Sequence, residues 1–106
     1  MKGVPVRQDD TRLTDDQIAD VLGRLEGWRR DGVLLVKDFE FATWKDVNRF
    51  LPYLGKTIAA LNHHPDFRFD GGRKLLHVEV TTHSKGGLTQ ADVDLARALN
   101  AWRDRD

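Results

Sequence analysis

Between Leu76 and His83 the chain alternates without a break. Leu76, Val78, Val80 and Thr82 fall on one side of an extended strand, and His77, Glu79, Thr81 and His83 on the other. A period of two with one apolar side fits a sheet that is buried on a single face. The rest of the chain has to supply partner strands and something to cover that face.

Helical spacing supplies the cover in three places. Thr14-Asp15-Asp16-Gln17 is a capping box, with Leu13 and Ile18 as its hydrophobic staple. Ile18, Val21, Leu22 and Leu25 follow at helical intervals, predicting a helix from Thr14 to Leu25 that Gly27 ends. Thr43-Trp44-Lys45-Asp46 opens a second helix that should bury Val47, Phe50, Leu51, Leu54, Ile58 and Leu61. Pro52 and Gly55 inside it predict a kink near Phe50 or a split into two helices, and Pro65 stops any continuation. Thr89-x-x-Asp92 is another capping box, stapled by Leu88 and Val93, and its helix runs through Leu95, Leu99 and Trp102.

The strands come as two hairpins. Trp28 to Arg30 and Val33 to Phe41 flank Asp31-Gly32, a favoured two-residue turn. Phe67 to Phe69 and Lys74 to Thr82 flank Asp70-Gly71-Gly72, and Ser84 to Gly87 is a loop. The predicted order is αββαββα. Without βαβ units this favours an α+β fold, a four-stranded antiparallel sheet with three helices on one face. Residues 1–12 are polar and aperiodic and read as a flexible N-terminal arm, and residues 13–106 as a single domain.

Seventeen basic residues balance seventeen acidic ones, so the chain has no electrostatic footprint for nucleic acid or an anionic membrane. Near-zero net charge favours self-association, and a homodimer or homotetramer is expected. With no cysteine, disulfides and thiolate metal sites are excluded. No apolar run approaches the roughly 20 residues that span a bilayer, and no signal-peptide h-region opens the chain, so a cytoplasmic location is expected.

Chemistry concentrates in His63-His64-Pro65-Asp66 and Thr81-Thr82-His83. Imidazole both gives and takes protons near neutral pH, which makes proton transfer the natural chemistry of such segments. No Gly-x-Ser-x-Gly turn and no phosphate-cradling loop compete with it. His63 and His64, as neighbours in extended chain, point opposite ways, and no Glu or Cys stands at ligand spacing beside them, so no metal is expected. His77 beside Glu79 reads as a surface or interface residue, and the capping box accounts for Asp92. Trp28 and Trp102 read as core or interface aromatics, while Phe67 and Phe69 could wall a site for a planar heterocycle.

Asn62-His63-His64-Pro65-Asp66-Phe67, Val78-Glu79-Val80-Thr81-Thr82-His83 and Gly86-Gly87-Leu88-Thr89-x-x-Asp92 resemble the pterin-4a-carbinolamine dehydratase family. The resemblance extends from about Leu13 to Trp102 and includes Gly27-Trp28 and Phe39-x-Phe41. It implies dehydration of 4a-hydroxytetrahydropterin to quinonoid dihydropterin, with a reduced pterin as partner and no cofactor. It also implies that His63 and His83 are the acid/base pair and that His64 binds substrate. Pro65, Asp66, Phe67, Thr82 and Asp92 complete the expected substrate-binding set, in a pocket at the Pro65 turn and the Thr82-His83 strand end.

The chain departs from the family pattern in places. Ala59 stands where many members carry a polar or acidic residue, Asn62 where an acidic one is common, and Ala91 where an arginine is common. The second hairpin is also about two residues longer than usual, with Asp70-Gly71-Gly72 in place of an aromatic-Asn pair. The resemblance leaves two rival functions. Relatives act as a dimerisation cofactor for a transcription factor or as a Rubisco assembly factor, using the scaffold's surface, and a pterin-binding module without turnover is a third possibility.

Overall fold

A computed structural model describes residues 11–102. Its first helix, α1 (Asp15–Leu22), starts on the expected capping box: Thr14 Oγ1 accepts from the Gln17 amide at 3.1 Å, and Gln17 Oε1 from the Thr14 amide at 2.8 Å. Asp15 and Asp16 in the first turn complement the positive end of the helix dipole. The helix stops at Gly23, earlier than the periodicity suggested. Tighter turns, with the Arg24 amide on the Val21 carbonyl and the Leu25 amide on the Leu22 carbonyl, still carry Leu25 into the core. The flexible arm expected over residues 1–12 lies outside the described residues up to Asp10; its last residue, Arg12, forms an antiparallel bridge with Thr89.

Strands β1 (Arg29–Asp31) and β2 (Leu34–Glu40) pair with Asp31 opposite Leu34. The turn is therefore Gly32-Val33, one residue later than expected. Gly32, at φ +62°, takes the positive φ that the first turn position of such a hairpin needs. Helix α2 (Trp44–Leu61) runs unbroken through Pro52 and Gly55 instead of splitting. Pro52 faces solvent, and buried Phe50 and Leu54 on either side of it hold both halves to the sheet. Leu61, expected inside, is 42% exposed because the last turn of α2 overshoots the core.

Strands β3 (Asp66–Asp70) and β4 (Leu75–Val80) pair with Asp70 opposite Leu75. The loop is thus residues 71–74, with Lys74 at φ +52°, instead of Asp70-Gly71-Gly72. All pairings are antiparallel and the sheet order is β1-β2-β4-β3. Helix α3 (Gln90–Asn100) begins on the second capping box.

The helices share one face of the sheet. Ile18 of α1, Phe50 and Leu54 of α2, and Leu95 and Leu99 of α3 pack with Leu76, Val78 and Val80 of β4 in one cluster. Each such buried side chain contributes roughly 1.5–3 kcal/mol of transfer free energy. Trp28 and Trp102 belong to this packing, Trp28 buried and Trp102 against Phe50 with ring centroids 5.3 Å apart. His77 and Glu79 look out from the opposite face. No helix among the described residues is long and apolar enough to cross a membrane.

Candidate active site

The end of α2 and the start of α3 meet at one carboxylate. Asn62 caps α2 in the left-handed region, at φ +51° and ψ +43°, a conformation that asparagine tolerates better than most residues. That reversal sends His63 back against the molecule, where its side chain is 16% exposed, while His64 faces solvent. Asn62 therefore serves the backbone. Pro65 is buried, and Asp66 and Phe67 open β3 as exposed residues.

On the other side, β4 ends at Val80, two residues short of the expected strand. The Thr82 amide bonds the Gly87 carbonyl at 3.2 Å, closing a tight loop that holds a single 3-10 turn, His83–Lys85. Gly86, at φ +70°, completes the reversal. Past Val80 the strand's alternation fails at Thr81. Thr81 is buried instead of lying on the open face beside His77, and His83 is exposed at the start of the turn. Thr81 Oγ1 is buried with no hydrogen-bond partner among the described residues.

Asp92, fully buried, is the centre of the arrangement. Its Oδ2 accepts from the Thr89 amide at 2.8 Å, as the capping box requires, and from Thr82 Oγ1 at 2.8 Å. Its Oδ1 lies 2.6 Å from His63 Nε2. The capping box thus explains one oxygen only. A carboxylate without solvent is costly unless hydrogen-bonded, and here three donors and the N-terminus of a helix meet that cost. Thr89 is more than the cap that its sequence position predicts. Its hydroxyl also lies 2.8 Å from Thr82 Oγ1, a contact that only the closed loop produces.

Of the expected site residues, the fold joins His63, Thr82 and Asp92 directly. Among the described residues no hydrogen bond ties His64 or His83 to this group, and no three His, Asp or Glu side chains converge as metal ligands would. Three surface cavities of about 500 to 580 Å³ lie elsewhere, one beside Pro52 and Tyr53, one beside Phe41 and Leu99, and one beside Arg68 and Arg73. The expected pocket at the Pro65 turn is not among them; in the single chain, His64 and His83 stand on open surface.

A second histidine is set between carboxylates on the open sheet face. His77 Nε2 lies 2.8 Å from Glu79 Oε2, and Nδ1 lies 2.6 Å from Asp38 Oδ1. These hydrogen bonds, Glu79 first and Asp38 next, raise its pKa above the usual value against opposing burial and Arg68. Across the sheet, burial lowers the pKa of Lys37, with Glu26 opposing. Its Nζ donates to Asn100 Oδ1 at 2.7 Å and to the Glu26 carbonyl at 3.1 Å.

Three helices on one face of a four-stranded antiparallel sheet, with a buried aspartate meeting a half-buried histidine where two helix ends meet, define a small α+β protein. The comparisons give that class a family. The family model described as Pterin 4 alpha carbinolamine dehydratase matches residues 11–102. A Thermomicrobium roseum protein, provisionally named a pterin-4-alpha-carbinolamine dehydratase, is 35% identical over 83% of this chain and 92% of its own. A Natronomonas pharaonis protein with the same provisional name is 39% identical over 84% of this chain and 92% of its own. The crystal structure of a Brucella melitensis transcriptional coactivator/pterin dehydratase superposes with a TM-score of 0.79, covering 86% of this chain and 97% of that one at 27% identity. The chain belongs to the pterin-4a-carbinolamine dehydratase family.

Proposed function

We propose that this protein dehydrates 4a-hydroxytetrahydropterin to quinonoid dihydropterin, using histidine acid/base catalysis. The observation that carries the reading is the 2.6 Å contact of His63 with buried Asp92 in a chain of this family. Loss of the 4a-hydroxyl breaks a C–O bond, so an acid must protonate the leaving oxygen while a base takes a ring-nitrogen proton. Two imidazoles in opposite protonation states supply both groups. His63, oriented by Asp92, and exposed His83 are the proposed pair. His64, Pro65, Asp66 and Phe67 form the proposed substrate-binding edge, with Phe67 offering an exposed ring to the flat heterocycle.

The test is dehydration of freshly prepared 4a-hydroxytetrahydropterin, followed by absorbance. His63→Ala and His83→Ala should each lower kcat by roughly 100-fold or more, the size of one acid/base contribution. His64→Ala should mainly raise KM, as a contact made equally in ground and transition states does. Small, equal effects at all three overturn the catalytic reading. They would leave the second one, a binding scaffold, which the double description of the Brucella melitensis structure favours.

A further inference from the structure

The hydroxyl of Thr82 has one hydrogen, and the structure fixes where it goes. Asp92 Oδ2, 2.8 Å away, is an acceptor and takes it. The Thr89 hydroxyl, 2.8 Å from the same Thr82 oxygen, must then be the donor in that contact. Thr89 Oγ1 in turn accepts from the Ala91 amide at 3.3 Å. The chain of donors runs one way, from Thr89 through Thr82 to Asp92. With two donors on Oδ2 and no solvent around it, the carboxylate cannot turn, and Oδ1 stays on His63 Nε2.

We infer that Thr82 is a positioning residue: backed by Thr89, it fixes the Asp92 carboxylate so that His63 carries its hydrogen on Nε2 and presents Nδ1 as its working nitrogen. This differs from a substrate contact, the role that family resemblance gave Thr82. What Nδ1 does rests on the dehydratase reading; the tautomer does not. The loop closure at Gly87 holds the Thr82 backbone, so the hydroxyl is placed before any ligand arrives. Such outer hydrogen bonds select a histidine tautomer and commonly matter by about 10- to 100-fold where they have been removed around metal-bound imidazoles.

The experiment is 15N NMR of the His63 ring in substrate-free protein at mildly alkaline pH, beside kcat and KM of two variants. The wild type should show a protonated Nε2 and a lone-pair Nδ1. Thr82→Val keeps the volume but removes the hydroxyl; it should give a mixture of tautomers and a kcat lower by about 10-fold, with KM little changed. Thr82→Ser keeps the hydroxyl and should recover most of the lost kcat and the single tautomer.

A wild-type ring protonated on Nδ1 overturns the inference, and this measurement needs no variant to fold. So does a Thr82→Ser as impaired as Thr82→Val, which would make the methyl group the important part, or a Thr82→Val identical to wild type. Because the spectra are read without substrate, absent dehydration overturns the reaction while the tautomer still decides the positioning.

Discussion

Both ring nitrogens of His77 face groups that only accept, Glu79 and Asp38. A neutral imidazole has one N–H and can satisfy one of them; the imidazolium satisfies both. The pKa of His77 is accordingly raised, by Glu79 and then by Asp38, with Arg68 across the strand pair opposing. A folded-state pKa above the unfolded value, about 6.5, means stabilisation that is complete below that value. It is lost as pH rises through the folded pKa. The stability advantage of wild type over His77→Gln should therefore be larger at about pH 6 than at about pH 9, read from urea midpoints. An advantage that grows with pH would refute the arrangement.

At the scale of elements, α2 carries two residues that disfavour a helix and stays whole. Packing against the sheet outweighs propensity here, since Val47, Phe50 and Leu54 are buried along its length. Gly55 nonetheless has a cost. A Cβ placed there meets nothing within 4 Å, and the residue faces solvent with ordinary helical backbone. Gly55→Ala should raise stability by about 0.5–1 kcal/mol, from lower unfolded-state entropy and better helix propensity. Chemical denaturation measures it, and a lower midpoint would show that the glycine has a packing duty. Capping boxes were legible element by element because Thr14-Gln17 and Thr89-Asp92 close within one turn of their own chain. The turns at Gly32-Val33 and at residues 71–74 were not, because cross-strand pairing and not the glycine pattern sets their register.

At the scale of the whole molecule, the sheet is open at both edges among the described residues. β1 has a partner on one side only and so has β3, where Phe67 is 48% exposed. A free edge beside an exposed aromatic, in a chain without net charge, favours pairing with a copy of itself across a twofold axis. The expected species is a homodimer or a homotetramer built from it. Light scattering at micromolar concentration reads this directly, and a monomer there contradicts it.

Alternation in β4, helical spacing at Ile18, Phe50 and Leu95, and the caps determine the α+β class and element order. Each is a local rule, decided by residues within a few positions of one another. The site follows a local rule only in the Thr89-Asp92 cap. His63 and Asp92 are 29 positions apart, and their contact exists only because the Asn62 reversal at the end of α2 meets the first turn of α3. Thr82, on the helix-covered side that the alternation gives it, joins them through Asp92 Oδ2, and the Gly87 pairing holds its backbone in place. Sequence supplied the histidines and the carboxylate. Which oxygen meets which nitrogen depends on the packing of two helix ends and one closed loop, because hydrogen bonds between distant residues form only once the backbone has brought them within about 3 Å.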